Sequence, residues 1–500
     1  MADSPSSPPA QGGGGGGQRN FALLKALLPK LPLMLRVAVA HVLNLSETAR
    51  YLDLRSALIV AVCRSFLEPD PSRPRTISSV QRLSTRDSGV KGRLWVSTYA
   101  SPPPPEAGAR DALGRALEAL REPPVQQPEP GSGSSIPVPD YVPVEAEWTG
   151  YRAAATPNEP PPAMSEKEKY HEMMKEVKAP TTVLYFHGGA YYLLDPSSHR
   201  PTTKTLAKIT RGRCYSVRYR LAPKHAFPAA VLDAFVSYLT LLYPPPDAYH
   251  EPVRPEHIVV SGNSAGGNLA LVLLQLILEL RRQGEPVMWH GEPRELPLPA
   301  GVACNSPWMD ITHSSPPIQG STPSVFDYLP KPDVSAKAKF VPCDIWPAKP
   351  PRKYLYVDAA LATHPLASPI MARSWAGAPP VYICTGWELL AFEDKFVAKK
   401  LAGDGATVVF EEYEAMPHCF AMVLTKTPNA RRCLDAWGGF MRRAVEDPAG
   451  IASSATGISA RTLEETALRF DGLSDIGPGE MRDRVVRKAK EPATQAAAKL

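Results

Sequence analysis

No Cys-x-x-Cys pair occurs in the 500 residues; the seven cysteines, Cys63, Cys214, Cys304, Cys343, Cys384, Cys419 and Cys433, are odd in number and scattered. Zinc knuckles and dithiol redox sites need close pairs, and a disulfide framework needs an even set. The thiols therefore read as reduced and mostly buried, as in an intracellular protein. H-E-x-x-H, EF-hand and phosphate-loop motifs are also missing, so neither a metal nor a nucleotide cofactor is expected. No uninterrupted apolar run reaches the roughly 18 residues of a spanning helix. The opening MADSPSSPPAQGGGGGGQ lacks both the basic and the apolar part of a secretory leader. A cytoplasmic or peripherally membrane-associated protein is the expectation. The charge is sparse as well: 56 basic against 50 acidic residues leave +6, with no dense basic stripe. Nucleic acid is not an expected partner.

What the chain has is apolar material, 44% of the residues, together with 56 prolines. That combination predicts one large globular unit carrying long irregular insertions. Residues 1–19 are Gly/Ser/Pro-rich and expected to be disordered. Residues 20–91 read as a helical cap and linker: leucines are dense from 21 to 45 but broken by Lys25, Pro29, Lys30, Pro32, Arg36 and His41. Helices over 21–67 are expected to cover the protein's own core or active site; peripheral contact with a membrane is the alternative.

The main domain is placed at 92–446. GRLWVSTYA (92–100) and VPVEAEWTGYR (142–152) look like antiparallel edge strands. After them, TTVLYF (181–186), CYSVRY (214–219), HIVVSG (257–262), AGVAC (300–304), PVYICTG (380–386) and TVVFEEY (407–413) alternate with helical stretches at 229–243, 265–283, 393–401 and 430–445. Near-continuous apolar strands alternating with helices predict an α/β fold, a mostly parallel central sheet with helices on both faces. Residues 101–139 and 160–180 are expected as loop insertions, 312–375 as a second cap segment, and 447–500 as a charged, weakly helical or disordered tail.

Chemistry concentrates at three places. Gly262-Asn263-Ser264-Ala265-Gly266 follows the strand HIVVS and opens an apolar helix, the context in which a serine hydroxyl stands exposed on a sharp turn. His187-Gly188-Gly189-Ala190 closes the strand TTVLYF; the backbone N–H groups of Gly188, Gly189 or Ala190, joined by Ala265, are candidate oxyanion donors. His187 reads as a structural residue holding that loop. A serine needs a histidine to take its proton and a carboxylate to orient the histidine. In a strand–serine–helix enzyme the order along the chain is serine, acid, histidine. His199, His225, His250 and His257 all precede Ser264, and with the acid placed after PVYICTG the order points to His418, after TVVFEEY. Glu388, after PVYICTG, is the favoured acid, with Glu393 or Asp394 as the alternatives one helical turn later.

HGGAYY, YRLAP (219–223), GNSAGGNLA, SPWMD (306–310) and MPHCF together resemble the hormone-sensitive-lipase-like branch of the α/β-hydrolases, especially its fungal members. The resemblance covers 92 to about 445. It implies the α/β-hydrolase fold, a helical cap, carboxylesterase or lipase activity, and a triad of Ser264, Glu388 and His418. Three positions depart from the family pattern: Ala190 where glycine is commoner, Asn263 where aspartate is frequent, and Phe392 at an often acidic place. Glutamate as the acid also occurs in the family.

The expected function is hydrolysis of a small, apolar ester, acetyl or short- to medium-chain, through an acyl-enzyme. An amide or thioester is chemically close. The rival reading is a non-catalytic small-molecule receptor on the same fold, resembling the gibberellin receptors; such proteins typically lose the histidine, whereas Ser264 and His418 are both present here.

Overall fold

A computed structural model describes residues 25, 27–68, 74–121, 135–316, 325–330 and 340–492. Twelve strands are formed among them: β1 (Leu94–Ser101), β2 (Val144–Tyr151), β3 (Thr182–Phe186), β4 (Arg213–Val217), β5 (Ile258–Asn263), β6 (Val287–Trp289), β7 (Glu292–Arg294), β8 (Gly301–Asn305), β9 (Val381–Gly386), β10 (Val408–Tyr413), β11 (Ser454–Ile458) and β12 (Glu465–Ala467). Ten of these make one sheet in the order β1-β2-β4-β3-β5-β8-β9-β10-β11-β12, while β6 and β7 form a separate hairpin. Every pairing from β4 through β11 is parallel; β1, β2 and β12 attach antiparallel at the edges.

Both faces are covered, and β3, β5, β8 and β9 are accordingly buried at every residue. Val183 and Tyr185 of β3, Val259 of β5 and Ala303 of β8 pack toward the helices Pro196–Thr210 and Pro428–Glu446. Their neighbours Leu184, Phe186, Val260 and Val302 pack toward Ala229–Leu242 and Ala265–Gln283. Ala229–Leu242 is buried at every residue, in keeping with a sequence that is apolar on almost all sides.

Three expectations need correction. Within 101–139, expected to loop out, the helix Gly108–Ala119 buries Ala109, Ala112, Leu113, Ala116 and Leu117. That is a clean helical spacing, but three of the five are alanines, between Pro- and Gly-rich flanks; residues 122–134 lie outside the described residues. Within 160–180, the helix Glu166–Glu176 starts at a capping box in which Ser165 and Glu168 satisfy each other's backbone N–H groups. From 447 to 492 the chain is neither loose nor separate, while residues 493–500 lie outside the described residues. β11 and β12 extend the main sheet, and the helix Pro478–Lys490 is held by Met481, Val485 and Ala489. Residues 1–19 lie outside the described residues.

The N-terminal region forms the helices Leu31–Val42, Leu54–Leu67 and Ile77–Ser84. Leu54–Leu67 buries Ser56, Ala57 and Val60, whereas Leu31–Val42 buries none of its residues.

If the C-terminal helix is an integral part of the domain, Met481→Ala should lower unfolding free energy by about 2–5 kcal/mol. The exposed Asp483→Ala, two residues along, should stay within about 0.5 kcal/mol of the parent. Urea denaturation distinguishes the two; equal, negligible effects would mean that the helix is not packed.

Candidate active site

β5 runs out at Asn263, and the helix Ala265–Gln283 begins two residues later. Ser264 makes the turn between them with φ +53° and ψ −123°. A non-glycine residue with positive φ costs about 1–2 kcal/mol, so the surroundings must hold it there. They do so through the Ser264 N–H donating to Asn305 O (3.1 Å) and the Ser264 carbonyl accepting from Asn268 N (3.0 Å) and Trp308 N (3.0 Å). Glycine at 266 is a steric demand: a Cβ there would lie 2.0 Å from the Phe186 carbonyl oxygen at the end of β3.

The loop after β3 lies directly against this turn. A Cβ on Gly188 would sit 3.2 Å from Ser264 Cβ and 2.6 Å from Asn263 Nδ2. Of the four candidate oxyanion donors, Gly188 is already engaged, its N–H donating to Asn263 Oδ1 at 3.1 Å. That corrects its assignment: the carboxamide in place of the frequent aspartate fixes the loop, with Tyr185 OH donating to the same oxygen at 2.9 Å. Among the described residues, the N–H groups of Gly189, Ala190 and Ala265 donate to no protein acceptor. Ala190 has φ +50°, the strained counterpart of the glycine more common at that place. His187 stacks on Tyr219 (ring centroids 4.2 Å apart), and Tyr219 OH donates to the His187 carbonyl at 2.7 Å. Burial, reinforced by the neighbouring His199, drives the His187 imidazole down to about 3, so it is neutral.

His418 lies in the loop after β10, and its Nδ1 is in direct hydrogen-bond contact with Glu388 Oε2. Both are buried, Glu388 completely. The other carboxylate oxygen, Oε1, accepts from Ser306 Oγ (2.5 Å), Thr385 Oγ1 (3.1 Å) and Gly386 N (3.3 Å). Burial works to raise the Glu388 carboxyl, but the charge of His418 and these donors hold it below its ordinary value. Burial likewise opposes charge on His418; Cys419 and Glu388 outweigh it and raise the imidazole well above its ordinary value.

The serine and histidine loops meet through their neighbours. Asn263 Nδ2 donates to Cys419 Sγ at 3.5 Å, and that thiol is 3.5 Å from His418 Nε2. Among the described residues Ser264 Oγ hydrogen-bonds to no protein atom, and Nε2 has only the thiol. In enzymes without substrate the serine–histidine bond is often long.

Glu393 and Asp394, the alternative acids, make no hydrogen bond to His418. Burial first, then Asp310 for Glu393 and Glu388 for Asp394, push both carboxyls well above the carboxylate range. Their carboxylate forms are disfavoured there, which suits them less than Glu388 to stabilise an imidazolium.

Sequence reasoning missed Asp327. Its buried carboxylate accepts from the backbone N–H of His418 (Oδ1, 3.1 Å) and of Leu389 (Oδ2, 2.8 Å), so one side chain ties the histidine loop to the glutamate loop. Burial and the nearby Glu388 push this carboxyl up to about 6. Its own carbonyl accepts from Arg64 Nε of the helix Leu54–Leu67 at 2.9 Å. No motif marks Asp327, which sits in the irregular segment 312–375. Ser306 was visible only as part of SPWMD, without a role.

A serine on a strained strand-to-helix turn of a parallel sheet, with a buried histidine–carboxylate pair at the adjoining strand ends, defines the class: a serine hydrolase architecture of the α/β type. Residues 183–422 match the alpha/beta hydrolase fold family. An acetyl-hydrolase of Streptomyces hygroscopicus is 30% identical over 264 residues, spanning 53% of this chain and 76% of that protein. An esterase of Acinetobacter venetianus is 26% identical over 264 residues, 53% of this chain and 75% of the other. A solved esterase of the bacterial hormone-sensitive lipase family aligns with a TM-score of 0.49 at 20% identity, over 79% of this chain and 99% of that one. On the family match and the Streptomyces relative, the chain belongs to the α/β-hydrolase family and is an enzyme.

The His418 imidazole should titrate above the ordinary value of about 6.5. Glu388→Gln removes the negative partner and should bring the titration down. Imidazole NMR over a pH series measures both; an upward move in Glu388→Gln would contradict the pairing.

Proposed function

We propose that the protein hydrolyses carboxylic esters through an acyl-enzyme on Ser264. Ser264 Oγ attacks the ester carbonyl carbon while His418 Nε2 takes the hydroxyl proton. Glu388, hydrogen-bonded to Nδ1, fixes the tautomer and balances the imidazolium charge. The carbonyl oxygen becomes an oxyanion and is held by the N–H groups of Gly189, Ala190 and Ala265. As the tetrahedral intermediate collapses, the C–O bond to the alcohol breaks and His418 returns the proton to the leaving oxygen. Water then enters, His418 takes its proton, and the second collapse frees the acid and restores Ser264.

The observation that carries this reading is the buried Glu388–His418 contact beside the Ser264 turn. A receptor that had given up catalysis would have no use for a desolvated ion pair next to a strained serine, so the same contact favours the enzyme over the receptor. The names of the relatives, acetyl-hydrolase and esterase, support an ester with a short acyl group as substrate.

With p-nitrophenyl acetate and its longer homologues, Ser264→Ala should lower kcat by about a millionfold and Glu388→Ala by on the order of ten-thousandfold. Asp394→Ala should remain within about tenfold of the parent. If Asp394→Ala fell as far as Glu388→Ala, the acid would have to be reassigned.

The pH profile gives a second check. His418 acts as a base only when neutral, and its charged form is favoured by Glu388, so kcat/KM should rise with pH through an apparent value above about 6.5. An acid limb below that value would speak against His418 as the base.

A further inference from the structure

Among the described α-helices, Leu31–Val42 alone buries none of its residues. With the preceding turn it exposes Leu28 by 61%, Leu31 by 51%, Leu35 by 67%, Val39 by 49% and Val42 by 72%. The spacings of three, four, four and three residues put these side chains on one stripe about 80° wide at 3.6 residues per turn. The helix is held from its other side by Leu54–Leu67, partly through Lys30 Nζ donating to Ser65 O at 3.0 Å.

Charge identifies the occupant. Between Asp3 and Glu47 the sequence has no acidic residue, while Arg19, Lys25, Lys30 and Arg36 are basic. Lys25 and Arg36 are exposed and flank the stripe. A second copy seated through the same stripe would bring cation against cation with no acid in the segment to answer it. A bilayer containing anionic phospholipid answers both features: the apolar side chains enter the acyl boundary, and the cations reach the phosphates. Among the described residues no helix is long and apolar enough to cross a membrane, so the stripe would lie in the interface plane.

We infer that Leu31–Val42 is a docking surface for membranes rich in anionic phospholipid. The helix pair adjoins the site as well: the Tyr51 ring is 5.6 Å from that of Trp387, next to Glu388, and Arg64 bonds to the Asp327 carbonyl. Docking would therefore bring the Glu388–His418 side of the enzyme near the lipid. The binding itself does not depend on the hydrolase reading and is measured without turnover.

The test is co-sedimentation of the full chain with vesicles of phosphatidylcholine alone and of phosphatidylcholine with phosphatidylserine. The parent should pellet with the anionic vesicles at least about tenfold more than with the neutral ones, and less as salt is raised. Leu35→Glu/Val42→Glu should lose that binding by about tenfold or more, with an unchanged circular dichroism melt. Leu83→Glu should keep it, because Leu83 is 68% exposed on the separate helix Ile77–Ser84. Equal pelleting of parent and double variant would overturn the inference. So would a dimer in sedimentation velocity that the double variant dissociates, with no vesicle binding by the parent.

Discussion

The contact between Glu388 and His418 is the constraint around which the site is built. Two ionisable groups taken out of water lose several kcal/mol of hydration each, and their mutual attraction offsets that loss only when every remaining lone pair and proton is satisfied. Here the far oxygen of Glu388 has three donors, from Ser306, Thr385 and Gly386. The donors come from the ends of two neighbouring parallel strands, so the sheet itself supplies the geometry. Ser306 follows β8, and Thr385 and Gly386 close β9.

The same pair explains several features that look unrelated. Ser306 adopts φ +47°, which lets its hydroxyl donate to Glu388 while accepting from Cys419 N at 3.1 Å. Asp327 takes no part in the pair but holds the backbone of both partners' loops. Arg64 in turn fixes Asp327 from the N-terminal helices. The irregular segment and the cap therefore reach the site through two side chains, Asp327 and Arg64, each bonded to main-chain groups. At the neighbouring Glu393 and Asp394 burial disfavours the charged form, whereas Glu388 is held below its ordinary value by His418 and its donors.

How much of this could be read in the sequence depended on whether the signal was local. Ser264 was legible because a strand, a turn and a helix follow one another within a few residues, and His418 because it follows the last long apolar strand. The mostly parallel sheet was legible from alternation alone. Gly188 looked like a donor on its motif, yet its N–H is taken by Asn263, 75 residues away, a contact that no spacing rule encodes. Asp327 is separated from His418 by 91 residues and sits among prolines without periodicity. The helix Gly108–Ala119 was hidden by its alanines. β11 was hidden because its partner is β10, already counted as the last strand; its few residues, Ser454–Ile458, have no apolar run of their own.

The central claim is that a reacting carbonyl at Ser264 would find His418 on one side and three unused N–H groups on the other. It is tested most directly by a crystal structure of the protein inactivated with an alkyl p-nitrophenyl phosphonate, which mimics the tetrahedral intermediate. Phosphorus should be bonded to Ser264 Oγ, with the phosphoryl oxygen about 3 Å from the N–H groups of Gly189, Ala190 and Ala265, and His418 Nε2 within hydrogen-bonding reach of Oγ. Phosphorus on another residue, or a phosphoryl oxygen turned away from those amides, would contradict it.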